Sequence, residues 1–180
     1  QLAKKVQLNS AYGALGNRYF RFFDVRIAES ITLSGQLSIK WIEKKLNGYL
    51  NNLLKTDNHD YIIAIDTDSV YVDMGDLINR INPPNPVDFL DKVSKQKLEP
   101  FIDKCYEELA DMMNAYAQKM YMGREVIADK GIWTAKKRYV LNVHDNEGVR
   151  YTTPKLKVMG LETVKSSTPS ICREALKKAL

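Results

Sequence analysis

Apolar positions change their period several times along the chain, and each change predicts an element. Residues 1–17 read as a helix ended by the glycine-bearing stretch LGN around Gly16. An aromatic-rich connection, RYFRFFD (18–24), leads to Ala28, Ile31, Gly35, Ile39, Ile42, Leu46, Tyr49 and Leu53, which recur at three-and-four spacing. That spacing predicts one long helix over 25–55, the second arm of a helical hairpin. After the turn TDNHD (56–60), two strands are expected near 61–66 and 69–74, with Asp66-Thr67-Asp68-Ser69 at the bend. The proline-rich INPPNP (81–86) bars regular structure. A helix is expected from about 87 to 118, striped by Phe101, Cys105, Leu109, Met112 and Tyr116, with Pro100 kinking or splitting it. Beyond Tyr121 the period falls to two, predicting strands near 124–129, 131–134, 136–143, 149–152 and 155–160, with HDNEG (144–148) as a hairpin turn. Thr168 as N-cap and Pro169 at the first position open a last helix. No internal repeat is present. The layout is an α+β fold: an antiparallel sheet with helices packed on one face, preceded by a helical hairpin.

Composition changes this picture little. Of 180 residues, 44% are hydrophobic and 27% charged, and no apolar stretch nears the ~20 residues a spanning helix needs, so no membrane association is expected. The opening QLAKKVQLNSAYG reads as the middle of a helix, and the chain is expected to be a piece of a longer protein. Cys105 and Cys172 lie far apart with no CxxC, which predicts reduced core thiols in a cytoplasmic protein. His59 and His144 sit beside turn residues without ligand-spaced neighbours and are expected at the surface. Charge distribution says more than the net +5. Residues 56–79 hold six aspartates and no Lys or Arg, whereas eleven Lys/Arg face four Asp/Glu from Lys130 onward. An acidic island and a basic tract suit a polyanion with cations, although a basic run is also what a solvated face looks like.

The acidic island contains the main chemical clue, IIAIDTDSVYVD (62–73). Asp66 and Asp68 are two apart, so they project to one face if the strand continues and stay close if it bends. Two neighbouring carboxylates share a proton or bind a cation. Hard divalent ions such as Mg²⁺ take oxygen ligands and share their shell with water and phosphate. An EF-hand is a poor match, since the third acid and the glycine are missing. The plain alternative makes both aspartates turn residues bonded to their own backbone.

Three motifs in order carry a family resemblance. DTDS between apolar strands resembles the C motif of family B DNA polymerases. KKVQLNSAYGALGN resembles their B motif, and TAKKRYVL resembles the Lys-Lys-x-Tyr element that follows. PKLKVMGLETVKSSTP and REVIADKGIW are similar to the T-even bacteriophage branch in particular. The resemblance spans essentially the whole chain and implies a fingers helical hairpin (1–55), palm (56–166) and the start of a thumb (167–180). It implies template-directed DNA synthesis, adding deoxynucleotides to a primer 3′-OH by two-metal phosphoryl transfer, with two Mg²⁺ ions in the complete enzyme. Lys5, Asn9, Tyr12 and Gly16 recur along one helical stripe. The resemblance sets Lys5 on the triphosphate, Asn9 near triphosphate or sugar, Tyr12 at the minor-groove side of the nascent pair, and Gly13 where that pair approaches closely. It makes Asp68 a direct metal ligand, Asp66 a neighbour that tunes the site, and Glu125 an acid near the metals. It places Lys136, Lys137 and Tyr139 against the primer end of the duplex. On spacing alone, Lys137 and Tyr139 are expected to share one face of the strand 136–143.

The resemblance has departures. Ala64-Ile65 stands where the family has Tyr-Gly, which implies altered primer handling or reduced activity. The A-motif aspartate, the exonuclease domain, the other fingers helix and most of the thumb are expected outside residues 1–180, so the segment is expected not to polymerise alone. Implied partners are primer-template DNA, deoxynucleoside triphosphates and the remainder of the polymerase chain, in the host-cell cytoplasm. A rival reading is a non-catalytic DNA-binding module derived from a palm. A Mg²⁺-dependent nuclease or cyclase is a third, but it has no use for the Lys5–Tyr12 helix.

Overall fold

A computed structural model describes residues 2–179. The chain divides into two compact units, Gln1–Val72 and Asp73–Leu180. Its class is α+β with antiparallel pairing throughout, but the strands form two sheets, β1-β2 and β3-β4-β5, instead of the single sheet expected.

The first unit opens with α1 (Leu2–Leu15), a turn, and α2 (Val25–Leu54). Asp24 caps α2 by accepting the Arg26 N–H at 2.9 Å, and Lys55 closes it in a left-handed conformation, φ 49°. The expected stripe is right through Ile39, Ile42 and Leu46, which are buried. It then steps by four to Leu50 and Leu54 instead of Tyr49 and Leu53, because a 3.6-residue turn drifts off strict alternation of threes and fours. Towards the start of α2 the stripe is unburied, and Ile31 is exposed. The buried half of α2 packs on β1 (Ile62–Asp66) and β2 (Ser69–Val72), meeting Tyr61 and Ile62 in a small apolar core. At about 25 cal/mol per Å² of apolar surface, each fully buried Leu or Ile there contributes roughly 1.5–3 kcal/mol.

The second unit starts with α3 (Gly75–Ile81), which periodicity did not predict. Asp73 Oδ1 accepts the Gly75 N–H at 2.8 Å at its start. There follow α4 (Pro86–Val93), a π-helical turn (Ser94–Leu98) and α5 (Glu99–Met112). Asn85 caps α4 through the Asp88 N–H at 3.2 Å. The regular helix is split as expected: a π turn separates α4 from α5 directly ahead of Pro100, where the ring has no N–H to give and the change of register accommodates it. The buried face is Ile102, Cys105, Tyr106 and Leu109; Met112 is exposed, and Tyr116 lies beyond the helix end, fully exposed.

Five expected strands merge into three: β3 (Val126–Ala135), β4 (Arg138–Asn146) and β5 (Val149–Met159). On β4, Tyr139, Leu141, Val143 and Asp145 are buried in strict alternation, the period-two signature of a half-buried strand. Ser170–Ala179 forms α6, and the Pro169 carbonyl accepts the Arg173 N–H at 3.0 Å, so the helix starts one residue later than predicted. Cys105 is buried as expected, but Cys172 is exposed on α6. His59 is exposed, whereas His144 is half-buried with Nε2 3.3 Å from Asp129. No helix among the described residues is long and apolar enough to cross a membrane.

Candidate functional site

The carboxylate bend joins β1 to β2, with Asp66 paired to Ser69 and Thr67-Asp68 as the two-residue loop. A register shift between Ile62 and Ala64 bulges the strand at Ile63, which is exposed. Thr67 has φ 55°, a conformation that costs a β-branched residue energy of order 1–3 kcal/mol. The bend is held locally. The Asp66 carbonyl accepts the Asp68 N–H at 2.7 Å and Ser69 Oγ at 3.1 Å, and Asp66 Oδ1 accepts Thr67 Oγ1 at 3.1 Å. Asp68 is exposed and Asp66 half-buried. Strained backbone in a non-glycine residue persists where the surroundings enforce it, and it clusters at binding and catalytic sites.

The donor set is oxygen-only, which suits a hard divalent cation. No third acidic, histidine or cysteine side chain joins these two into a ready cage among the described residues. A cation held here would keep coordination positions for water and phosphate oxygens. Asp73, the third acid of the motif, is engaged at the start of α3 and belongs to the other unit.

On α1 no residue is buried. Lys5, Asn9, Tyr12 and Gly13 all face solvent, with Tyr12 44% exposed. A Cβ placed on Gly13 would meet no atom within 4 Å. The helix thus offers a cation, an amide, a ring and an open backbone position to a ligand.

Within the second unit, Lys136 and Lys137 form the two-residue loop between β3 and β4, with Ala135 paired to Arg138. Lys137 has φ 62°, so it does not share a strand face with Tyr139 as alternation predicted. Gly160, φ 67°, lies against this loop: a Cβ there would sit 2.1 Å from the Lys137 carbonyl oxygen. Tyr139 is 5% exposed and its ring centre lies 6.3 Å from that of Trp133. Its bulk is core, and the two lysines are the exposed part of this element.

Glu125 is exposed just ahead of β3, and its backbone is anchored: its carbonyl accepts the Glu147 N–H at 2.6 Å. Its neighbour Arg124 centres a buried ion network that sequence reasoning missed. Arg124 donates to Asp145 and Asp91, while Glu99 Oε1 accepts the Arg124 N–H at 3.0 Å. Arg150 Nε lies 3.2 Å from Asp145 Oδ2, and its Nη2 is 2.8 Å from Asp88. The ammonium of Lys95, followed by burial acting the other way and the Arg124 guanidinium, holds the Asp91 carboxyl below its ordinary range. The available signal was Asp145 itself, an acid on the buried face of an apolar strand.

With this geometry in place, comparison with known proteins shows what the chain is similar to. The model for DNA polymerase family B matches residues 1–81, the part containing α1 and the carboxylate bend. The match takes in less than half of the chain. The chain is 45% identical, over its whole length, to the DNA-directed DNA polymerase of Escherichia phage RB69 and equally to that of Enterobacteria phage T4. It spans 22% of the length of each.

Proposed function

We propose that this chain supplies the nucleotide-facing helix and the catalytic carboxylate bend of a template-directed DNA polymerase, acting on primer-template DNA and deoxynucleoside triphosphates in a phage-infected cell. The observation that carries the reading is a pair of carboxylates at a strained bend, Asp68 exposed and Asp66 half-buried, in a chain 45% identical throughout to DNA-directed DNA polymerases. Residues 1–55 act as fingers, 56–166 as palm and 167–180 as the first part of the thumb.

The residues divide the work by chemistry. Lys5 attracts the triphosphate as a point charge, and Asn9 orients it or the sugar through its amide. Tyr12 and Gly13 shape the surface under the nascent base pair. Lys136 and Lys137 meet the primer-strand end, where an ammonium can reach the acceptors that every correct base pair offers in the minor groove. Asp68 and Asp66 provide the oxygens for divalent cations of the Mg²⁺ type, with Glu125 a candidate for a nearby role. Bound there, such ions lower the pKa of the primer hydroxyl and neutralise charge developing on the phosphates. Tyr139 contributes as packing under the Lys136–Lys137 loop.

A segment exchange tests this. The 180-residue chain would replace the equivalent segment of the phage T4 polymerase, and primer extension would be followed. Extension is expected in the chimera, with a loss of about 10³-fold or more on Asp68→Asn. A folded chimera whose extension is unaffected by Asp68→Asn would overturn the proposal. The isolated 180-residue chain is expected to give no extension.

A further inference from the structure

The strand that carries the bend is rooted by two amides of α2. Asn47 and Asn51 lie one helical turn apart and face the segment 56–61. Asn51 uses every hydrogen-bonding site of its side chain. Its Nδ2 donates to the carbonyls of Asn47 at 2.8 Å and His59 at 2.7 Å, and its Oδ1 accepts the His59 N–H and Thr56 Oγ1, both at 2.8 Å. Asn47 grips the next residues: its Oδ1 accepts the Tyr61 N–H and its Nδ2 donates to Asp60 Oδ1, both at 2.8 Å. The same Asp60 oxygen accepts the Ile62 N–H at 3.0 Å. Because the Thr56 hydroxyl proton goes to Asn51, the 2.9 Å contact between Thr56 Oγ1 and the Tyr61 hydroxyl has Tyr61 as donor. Tyr61 is 1% exposed, so its polar tip is satisfied inside the core.

These bonds do more than close a turn. They fix backbone N–H groups at 59, 61 and 62, directly or through Asp60, immediately before a strand of five residues that ends at Asp66. A strand that short, pinned at its root, has little freedom at its tip. We propose that Asn47 and Asn51 are positioning residues: they set where the Asp66–Asp68 bend stands on α2, and so the geometry in which the bend presents its oxygens to a divalent cation. This rests on the reading of the bend as a metal and nucleotide site.

The test uses the full 180-residue chain in four forms besides the parent: Asn51→Ala, Asn51→Asp, Asn47→Ala, and Asn52→Ala as a control on the same turn. Asn51→Asp keeps an acceptor for Thr56 and His59 but loses both donors and sets its second oxygen against the Asn47 and His59 carbonyls, so it tests the donor half of the network by itself. Two readouts are taken, amide hydrogen exchange and broadening of amide resonances by Mn²⁺. Amides of 62–66 are expected to exchange at least tenfold faster in Asn51→Ala and in Asn51→Asp, and at the parent rate in Asn52→Ala. Amides at Ile42 and Leu46 stay at the parent rate in all. The Mn²⁺ concentration that half-broadens Thr67 and Asp68 is expected to rise at least threefold in Asn51→Ala and Asn47→Ala. Exchange that is unchanged at 62–66, or accelerated uniformly through α2, overturns the proposal, since the latter marks a general loss of stability and not a local loss of position. So does an unmoved Mn²⁺ midpoint in variants whose parent shows selective broadening. If the parent shows no selective broadening at 66–68, the metal-site reading itself fails and this proposal with it.

Discussion

Two aspartate-bearing turns of this chain contrast in how they handle a carboxylate. At the β4–β5 turn, Asp145 is 1% exposed and held by Arg124 and Arg150, with the Gly148 N–H adding a bond at 3.0 Å. Its loop, Glu147-Gly148, has φ values of 52° and 87°, the combination favoured in a tight hairpin. At the β1–β2 bend, Asp68 is exposed and the positive φ falls on Thr67, a residue poorly suited to it. One turn uses suitable residues and buried counter-charges, and is built for stability. The other carries strain and leaves charge at the surface, the pattern expected of the binding role proposed for it. The same side chain is structural where arginines satisfy it and available for chemistry where the backbone holds it out.

That contrast can be broken by mutation, and each unit reports separately because Trp41 lies in the first and Trp133 in the second. The largest effect is expected from Asp145→Asn. It leaves Arg124, 9% exposed at its side chain, short of a counter-ion, and should lower the stability of the second unit by about 3–5 kcal/mol in urea titrations followed at Trp133. Gly160→Ala comes next, at about 2 kcal/mol, because a methyl cannot sit 2.1 Å from the Lys137 carbonyl without moving the loop. Thr67→Gly should do the opposite in the first unit, raising stability by about 0.5–1 kcal/mol as the left-handed strain is relieved. Acid should act through the paired acids of the second unit. Asp91 is depressed below its ordinary 3.8, so its contribution is present above that value and lost as pH falls through the lower folded one. The urea midpoint at Trp133 should therefore begin to fall as pH drops towards 3.8 and keep falling below it, and Asp91→Asn should flatten that slope. The smallest effect on folding is expected from Asp68→Asn, within about 0.5 kcal/mol, which would separate a binding group from a structural one.

Much of this was legible in the sequence, for reasons that particular residues make plain. Long helices with a repeated apolar stripe, such as α2, announce themselves through Ile39, Ile42 and Leu46. The bend was legible because two acids interrupt an apolar, β-branched run. Tertiary satisfaction was not. Nothing local says that Asp145 will find Arg124, 21 residues before it, or that Asn47 will reach Tyr61, because those pairings form only when elements pack. The sharing of a face by Lys137 and Tyr139 failed for a related reason: the strand begins two residues late, and a tight loop with a left-handed lysine takes its place. Cys172 was misplaced because hydrophobic tendency was weighed without knowing that α6 buries no residue. Pro100 was legible as the point where the regular helix splits, since the π turn lies just ahead of it.

The central claim is that the Asp66–Asp68 bend binds a divalent cation together with a nucleoside triphosphate. Electron paramagnetic resonance of free Mn²⁺, titrated with the 180-residue chain and thymidine triphosphate, reads this directly. The account predicts nucleotide-dependent uptake of Mn²⁺ by the parent chain and its loss in the Asp66→Asn, Asp68→Asn double variant, with folding unchanged. Equal uptake by parent and double variant would contradict it.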